Sequence, residues 1–336
     1  MRIIGFLNKE NSILRRSFLA LILNFPVAVF ALSLYFLASK ITDQFGIFYI
    51  SLSSINIVFS GSLILNLIIT EICIKKDGYF DKNQYINILG YFFTLSLVVF
   101  ILFIPVSFIL SKVLSFSFIL IIVIIFSSLA SYFAEIGRVF LQCKDNFFYA
   151  GIYNLVWVFI RNSTTLIILA FTDKIWIAIL FFGLSSFIPI SFIIKFYFRN
   201  YNLNLKYLLK FNLLDNFSFN KFYGEHKKKI KLFFSFIAYS ILCFSDLILS
   251  YLLFDEGILN VISSSLIIPK GIIVFSIPLV HIFFVTLIKN NKNNYLSFSK
   301  AMLSVLISTF FIVIFFKYTQ SYYCGTSKGI ELCNTN

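Results

Sequence analysis

Long apolar runs separated by short polar turns make up most of the chain from residue 17 to residue 318. A helix needs about 20 apolar residues to cross the hydrocarbon core of a bilayer. On that basis the pattern predicts nine membrane-spanning helices, over residues 17–38, 47–69, 86–110, 113–134, 147–171, 175–197, 232–254, 258–288 and 301–318. The predicted fold class is therefore an all-α integral membrane protein.

The composition supports this interpretation and excludes a soluble domain. The chain has 336 residues, of which 60% are hydrophobic and 12% are charged, and its mean hydropathy is +0.93. A water-soluble domain of this composition would expose far more apolar surface than water tolerates. The net charge of +14 is explained by basic loops in a membrane protein, so we expect no nucleic-acid partner.

Lysine and arginine are concentrated in every second loop, and Arg138 is among those assigned to the cytoplasmic loops. The intervening turns hold few basic residues, namely Lys40, Lys112, Lys174, Lys317 and Lys328. Because basic loops remain in the cytoplasm, this asymmetry predicts a cytoplasmic N-terminus. The first apolar stretch, 17–38, exceeds the core of a signal peptide and is interpreted as a retained span.

Two similar segments indicate an internal repeat. The segment "SLYFLASKITDQFGIFYISLSS" (33–54) matches "ILSYLLFDEGILNVISSS" (248–265) when Gly46 is aligned with Gly257. Six predicted spans separate them, so both segments insert in the same direction. This pattern is typical of transporters built from parallel repeats with a central site between them.

Three stretches of sequence carry a family resemblance. The stretches are "LASKITDQFGIFYISLSSINIVFSGSLILNLIITEI", "FLQCKDNFFYAGIYNLVWVFIRNSTTLIILAF" and "FSDLILSYLLFDEGILNVISSSLIIPKGIIVFSIPLVHIFF". They resemble the Wzx-type O-antigen flippases of the MATE-like flippase superfamily. The resemblance implies a flippase in the bacterial inner membrane that moves an undecaprenyl-diphosphate-linked oligosaccharide by alternating access. The implied partners are this glycan, membrane lipids and the polysaccharide polymerase machinery.

The resemblance also implies two six-helix lobes, the second of which would be incomplete in this chain. We predict an N-terminal six-helix lobe (1–197), a basic cytoplasmic linker (198–231), a partial C-terminal lobe of three helices (232–318) and a polar tail (319–336). Spans ten to twelve of the family pattern are missing. The expectation is therefore either a truncated reading frame or a nine-span variant.

Polar side chains inside the predicted spans mark the candidate site, because a charge at the bilayer centre costs about 2.5–3.5 kcal/mol on insertion scales and usually faces protein or water. Cations at mid-depth suit an anionic diphosphate. A salt bridge from Asp246 that only neutralises charge is the alternative. The candidates for substrate binding are Arg161, Lys270, Asp246, Asn24 and Ser163.

Several of these residues keep a second interpretation. His281 is the candidate for proton coupling, or else a hydrogen-bonded helix contact. The hydroxyls from Ser163 to Thr165 either line a sugar path or bond to their own backbone. Asn24 lies beside Pro26 in the first span, where the proline would weaken the helical ladder.

We expect no metal site, because no CxxC pair is present and the two histidines lie far apart, and no ATPase, because no phosphate-binding loop is present. The flippase that the resemblance implies involves no covalent chemistry, so we also expect no cofactor and no enzyme. Cys324 and Cys333 would face the outside, where a disulfide could form. The alternatives to a flippase are a membrane glycosyltransferase or polymerase of polysaccharide assembly, a drug or ion antiporter, and a non-transporting remnant.

Overall fold

The computed structural model describes residues 13–73, 82–114, 116–143, 147–197 and 224, and residues 234–267 except 236, 239, 242, 243 and 256. Every secondary-structure element in these ranges is an α-helix. The helices are α1 (Ile13–Ile41), α2 (Phe45–Phe59), α3 (Ser62–Cys73), α4 (Lys82–Leu114), α5 (Phe118–Cys143), α6 (Phe147–Thr172), α7 (Ile175–Leu184), α8 (Phe187–Tyr197), α9 (Phe244–Leu253) and α10 (Gly257–Ile267).

The chain divides into two compact units, one formed by residues 1–28 with 266–336 and the other by residues 29–265. Most of the first unit lies outside the described residues. The packing and the site described below belong to the second unit.

Four described stretches are long and apolar enough to cross a membrane, namely Ile88–Lys112, Phe118–Cys143, Phe148–Thr172 and Ile175–Ile193. The α4 helix exposes large apolar side chains, with Ile101 61% and Leu102 63% exposed. Water would not tolerate this surface, whereas lipid tails do. The protein is therefore an all-helical membrane-embedded protein.

Helix α5 lies at the centre of this unit and packs against α2, α3, α4, α6, α7 and α8. Small residues allow close approach to α7. The Ser127 hydroxyl donates a hydrogen bond of 2.7 Å to the carbonyl oxygen of Ile179. A Cβ atom on Gly183 would lie 2.8 Å from Ser127 Cα. Glycine and serine therefore let the two helix backbones touch, as is common where membrane helices associate.

Two predicted spans are interrupted helices. Span 47–69 is divided by a turn at Ser60 and Gly61 between α2 and α3, and span 175–197 by a turn at Ser185 and Ser186 between α7 and α8. The backbone N–H of Ser60 is shared between the carbonyl oxygens of Asn56 and Ile57. The apolar pattern did not reveal these interruptions, because serine and glycine are tolerated within membrane helices.

The predicted end of the fourth span at residue 134 is wrong. Helix α5 continues to Cys143, and almost every residue from Ala130 onward is buried. The sequence assignment of Arg138 to a cytoplasmic loop is corrected in the same way, because Arg138 is 9% exposed. Glu135 and Arg138 ended the apolar run in the sequence, but in the structure both are buried where helices pack together.

Two of the predicted gaps between spans, 39–46 and 172–174, are shorter turns in the structure, at residues 42–44 and 173–174. The turn assigned to Ser111 and Lys112 lies after Leu114, because α4 includes both residues. The turn before α7 is two residues long, and Asp173 adopts a φ of 49°, a left-handed conformation that aspartate tolerates better than most residues. The predicted span 301–318, the tail 319–336, the pair Cys324 and Cys333, and nearly all of the linker 198–231 lie outside the described residues.

Candidate functional site

Arg161 lies near the middle of α6 and packs against two aromatic rings. Its guanidinium carbon is 4.7 Å from the ring centroid of Trp157, one turn earlier on the same helix, and 4.3 Å from that of Phe182 on α7. Both aromatic residues are buried. Cation–π contacts of this kind contribute about 0.5–2 kcal/mol, more where water is excluded. The rings therefore offset part of the cost of placing a cation inside an apolar helix.

The hydrogen-bonding capacity of Arg161 is not filled by the described part of the chain. Its Nε is buried and has no hydrogen-bond partner there. Among the same residues, the partners of its side chain are aromatic, and none is a carboxylate. An unpartnered buried N–H costs about 1–3 kcal/mol. The side chain thus lies against two rings, and its buried Nε has no hydrogen-bond partner among the described residues.

Two tyrosines extend the site toward the start of α2. The Tyr35 phenol, on α1, lies within electrostatic reach of Arg161 and accepts a hydrogen bond of 3.3 Å from Asn56 Nδ2. The rings of Tyr35 and Tyr49 meet edge to face, with centroids 5.0 Å apart. Tyr49 lies within electrostatic reach of Asp246 on α9. Polar groups from four helices therefore connect a cation with a carboxylate.

Both helix interruptions converge on Trp157. Its indole Nε1–H donates a hydrogen bond of 3.2 Å to the Ser186 hydroxyl in the second interruption. Its ring lies 6.1 Å from that of Phe59, the last residue before the first interruption. Ser60 and Ser185 both keep right-handed helical backbone angles, so each interruption is a local break at which the helix can bend rather than an unwound segment. Trp157 and Arg161 thus lie where two interrupted helices meet.

The remaining candidates from the sequence are distributed as follows. Asp246 is exposed on α9, and its Oδ1 accepts a 2.9 Å hydrogen bond from the backbone N–H of Leu247. Ser163 is half-buried on α6, two residues from Arg161. Asn24 lies within α1. Lys270 and His281 lie outside the described residues, so their predicted roles remain predictions.

The hydroxyls beside Arg161 bond to their own helix where the structure gives their partners. Thr164 donates to the carbonyl oxygen of Ile160 over 2.8 Å, and Thr165 donates to that of Arg161 over 2.7 Å. Back-bonding of this type satisfies a hydroxyl without a ligand. The simpler of the two interpretations of the sequence is confirmed for these threonines.

One polar cluster was missed by the sequence analysis. Glu135 and Arg138, one turn apart on α5, form a two-bond ion pair, in which Arg138 Nε lies 2.9 Å from Glu135 Oε2. Asn66 Nδ2 donates to the same carboxylate from α3. Thr70 Oγ1 and Gln142 Oε1 are buried without a partner in the described part of the chain. The spacing 135, 138 and 142 on one helix face was the available signal, but the span was ended too early.

Comparisons with family models, curated proteins and solved structures give no match to this chain. The class of the protein is therefore described from its fold and its candidate site alone. It is a multi-helix membrane protein with a cation held inside the apolar part of the bundle. The resemblance to polysaccharide flippases stays a prediction.

Proposed function

We propose that this protein is a flippase that moves an undecaprenyl-diphosphate-linked oligosaccharide across the membrane, and that Arg161 receives the diphosphate. The proposal rests on the surroundings of the Arg161 side chain. Its guanidinium packs against the rings of Trp157 and Phe182, and its buried Nε has no hydrogen-bond partner in the described chain. The substrate class follows from the sequence resemblance, and the chemistry of the side chain is compatible with it.

The chemistry favours an oxyanion ligand. A guanidinium presents its N–H groups as a planar fork that matches two phosphate oxygens. Because the Trp157 and Phe182 rings lie close to the guanidinium carbon, an acceptor is expected to approach the N–H groups from a side that the rings leave open. The diphosphate would supply the missing acceptor and replace part of the hydration that it loses in the bilayer. Binding would therefore offset part of the desolvation cost of both the diphosphate and the Arg161 guanidinium.

The location of the site favours transport over catalysis. Trp157, one turn from Arg161, contacts both helix interruptions, and breaks at serine and glycine are places where a helix can bend. Tyr35 on α1, Tyr49 on α2 and Asp246 on α9 add polar groups next to one another near this site. This arrangement provides a polar surface for a headgroup within an apolar bundle, while the lipid tail would remain in the bilayer.

The proposal is tested with the purified full chain in proteoliposomes that contain a fluorescent undecaprenyl-diphosphate oligosaccharide. Quenching by an impermeant reagent reports how much substrate has changed leaflet. We expect Arg161→Ala to abolish the protein-dependent exchange and Arg161→Lys to reduce it about tenfold or more, since lysine lacks the planar fork. Lys174→Ala, which removes an exposed cation from the turn before α7, should retain wild-type exchange. Equal exchange by wild type and Arg161→Ala would refute the proposal.

A further inference from the structure

The side chain of Asn260 on α10 holds the turn that precedes α2. The backbone N–H of Gly46 donates to Asn260 Oδ1 over 2.6 Å, and Asn260 Nδ2 donates to the carbonyl oxygen of Asp43 over 2.6 Å. The oxygen and the nitrogen of one side-chain amide thus both form hydrogen bonds with the same turn, which lies more than 200 residues earlier in the sequence. A short side chain with this pairing fixes the position of the turn relative to α10.

Gly46 makes this approach possible. A Cβ atom at this position would lie 2.6 Å from Leu259 Cγ and 3.0 Å from Asn260 Oδ1. Leu259 is itself buried. A side chain at position 46 would therefore collide with Leu259 unless the Leu259 side chain is shortened as well. We call the two hydrogen bonds of Asn260 to Asp43 and Gly46 the latch.

An aromatic series connects the latch with the Arg161 site. Phe45, beside Gly46, stacks on Tyr49 with ring centroids 5.7 Å apart and an interplanar angle of 28°. Tyr49 meets Tyr35 edge to face, and Tyr35 lies within electrostatic reach of Arg161. We call Phe45, Tyr49 and Tyr35 the ladder. Because Phe45, Gly46 and Tyr49 belong to the same helix, a change in the packing of Tyr35 is expected to move the turn that Asn260 holds.

We infer that the latch reports the occupancy of the Arg161 site: an oxyanion bound to Arg161 repacks the ladder and releases Asn260. This inference rests on the proposed function and adds its regulation. While the latch is closed, Tyr35 lies within electrostatic reach of Arg161. With the site filled, the oxyanion competes for Arg161, Tyr35 and Tyr49 shift, and α2 separates from α10. Release of the latch only when substrate is bound would prevent opening of an empty site.

A cysteine pair measures the closed latch directly. Gly46→Cys with Leu259→Cys is made in a chain whose five native cysteines are replaced. The Cβ position of residue 46 lies against the Leu259 side chain, which is compatible with the Cβ–Cβ separation of about 3.5–4.5 Å in disulfides. The matched control is Gly46→Cys with Leu259→Ala and Val261→Cys, because it shortens Leu259 in the same way and Val261 is 69% exposed on α10. We expect mild oxidation to cross-link the first pair and not the second.

Inorganic pyrophosphate is the probe for coupling. We expect it to slow cross-linking of the 46–259 pair by roughly five- to a hundredfold, the range given by the loss of two net hydrogen bonds. In the Arg161→Ala background, pyrophosphate should have no effect on the rate. Tyr49→Leu should keep the cross-link but remove the effect of pyrophosphate, whereas Tyr49→Phe, which keeps the ring, should preserve it.

The outcomes separate the two proposals. If calorimetry shows that pyrophosphate binds through Arg161 but the cross-linking rate is unchanged, the link to the latch is refuted and the proposed function stands. If pyrophosphate does not bind, or binds equally well to Arg161→Ala, both proposals are refuted. If Tyr49→Leu still responds as wild type does, the ladder is not the route.

Discussion

At the scale of single residues, the main feature is how the chain places charge among apolar helices. Arg161 is held by two rings, with its donor edge incompletely used. Arg138 is paired with a carboxylate on its own helix. The two arginines therefore have different roles. The buried Nε of the first has no hydrogen-bond partner among the described residues, whereas the second is neutralised within the fold.

Replacement of Trp157 tests whether its ring stabilises the Arg161 guanidinium. Trp157→Leu removes one of the two rings and the bond to Ser186, so we expect pyrophosphate affinity to fall by about 0.5–2 kcal/mol, the range of a cation–π contact. Trp157→Phe keeps a ring and should lose less. Phe159→Leu is the control, because its ring packs on Phe30 and not on Arg161. Isothermal titration measures all three, and equal losses in Trp157→Leu and Phe159→Leu would argue against the stacking role.

The Glu135–Arg138 pair gives a stability prediction. Glu135→Gln leaves Arg138 buried beside a neutral side chain, and an unpaired buried charge costs about 3–5 kcal/mol. We therefore expect the temperature of unfolding in detergent to fall clearly. The double variant Glu135→Gln with Arg138→Met removes both charges and should recover most of the loss. A double variant less stable than Glu135→Gln would show that the arginine has another partner that matters more.

At the scale of helices, close packing around α5 depends on small residues. The contact of Ser127 with Ile179 and Gly183 brings α5 and α7 together, and this places Phe182 beside Arg161. The interruptions at 60–61 and 185–186 lie on either side of Trp157 in sequence but meet it in space. The position of the site therefore follows from how α5, α6 and α7 cross.

Gly183→Ala tests this crossing. The added Cβ would lie 2.6 Å from Ser127 Oγ and 2.8 Å from Ser127 Cα. A backbone atom cannot rotate away, so the helices must separate, and overpacking of this kind costs about 1–3 kcal/mol. Gly257→Ala is the matched control, because nothing lies within 4 Å of a Cβ there. Thermal unfolding in detergent should show a loss for the first variant alone, and an unchanged Gly183→Ala would mean that the crossing adapts without cost.

At the scale of the whole molecule, the orientation in the membrane is a prediction from charge alone. Cysteine labelling in intact cells tests it. An impermeant thiol reagent applied from outside should label Asp173→Cys and Glu256→Cys, which lie in sparsely basic turns, but not Lys228→Cys, which lies in the basic linker. Permeabilised cells provide the control, since all three positions should then react. Labelling of Lys228→Cys in intact cells would reverse the predicted topology.

The sequence by itself determined that this is an all-helical membrane protein, and it identified Arg161 as a polar residue within an apolar helix. Both conclusions are local, because they depend on run length and on the cost of charge in lipid. The hydrogen bonds of the Thr164 and Thr165 hydroxyls to their own helix were also predictable, because they depend only on neighbouring residues. The expected repeat pointed to Gly46 and to the region around Gly257, but the pattern gave no indication that these two turns touch.

Only the tertiary structure decided which side chains surround Arg161, where the helices are interrupted and which charges are internally paired. The rings of Trp157 and Phe182, the phenol of Tyr35 and the amide of Asn260 come from different helices. Their proximity depends on helix crossings and rotations set by small residues such as Gly183 and Ser127. Apolar periodicity carries little information about such rotations in a membrane, because lipid and protein interior are equally apolar to a leucine or a phenylalanine.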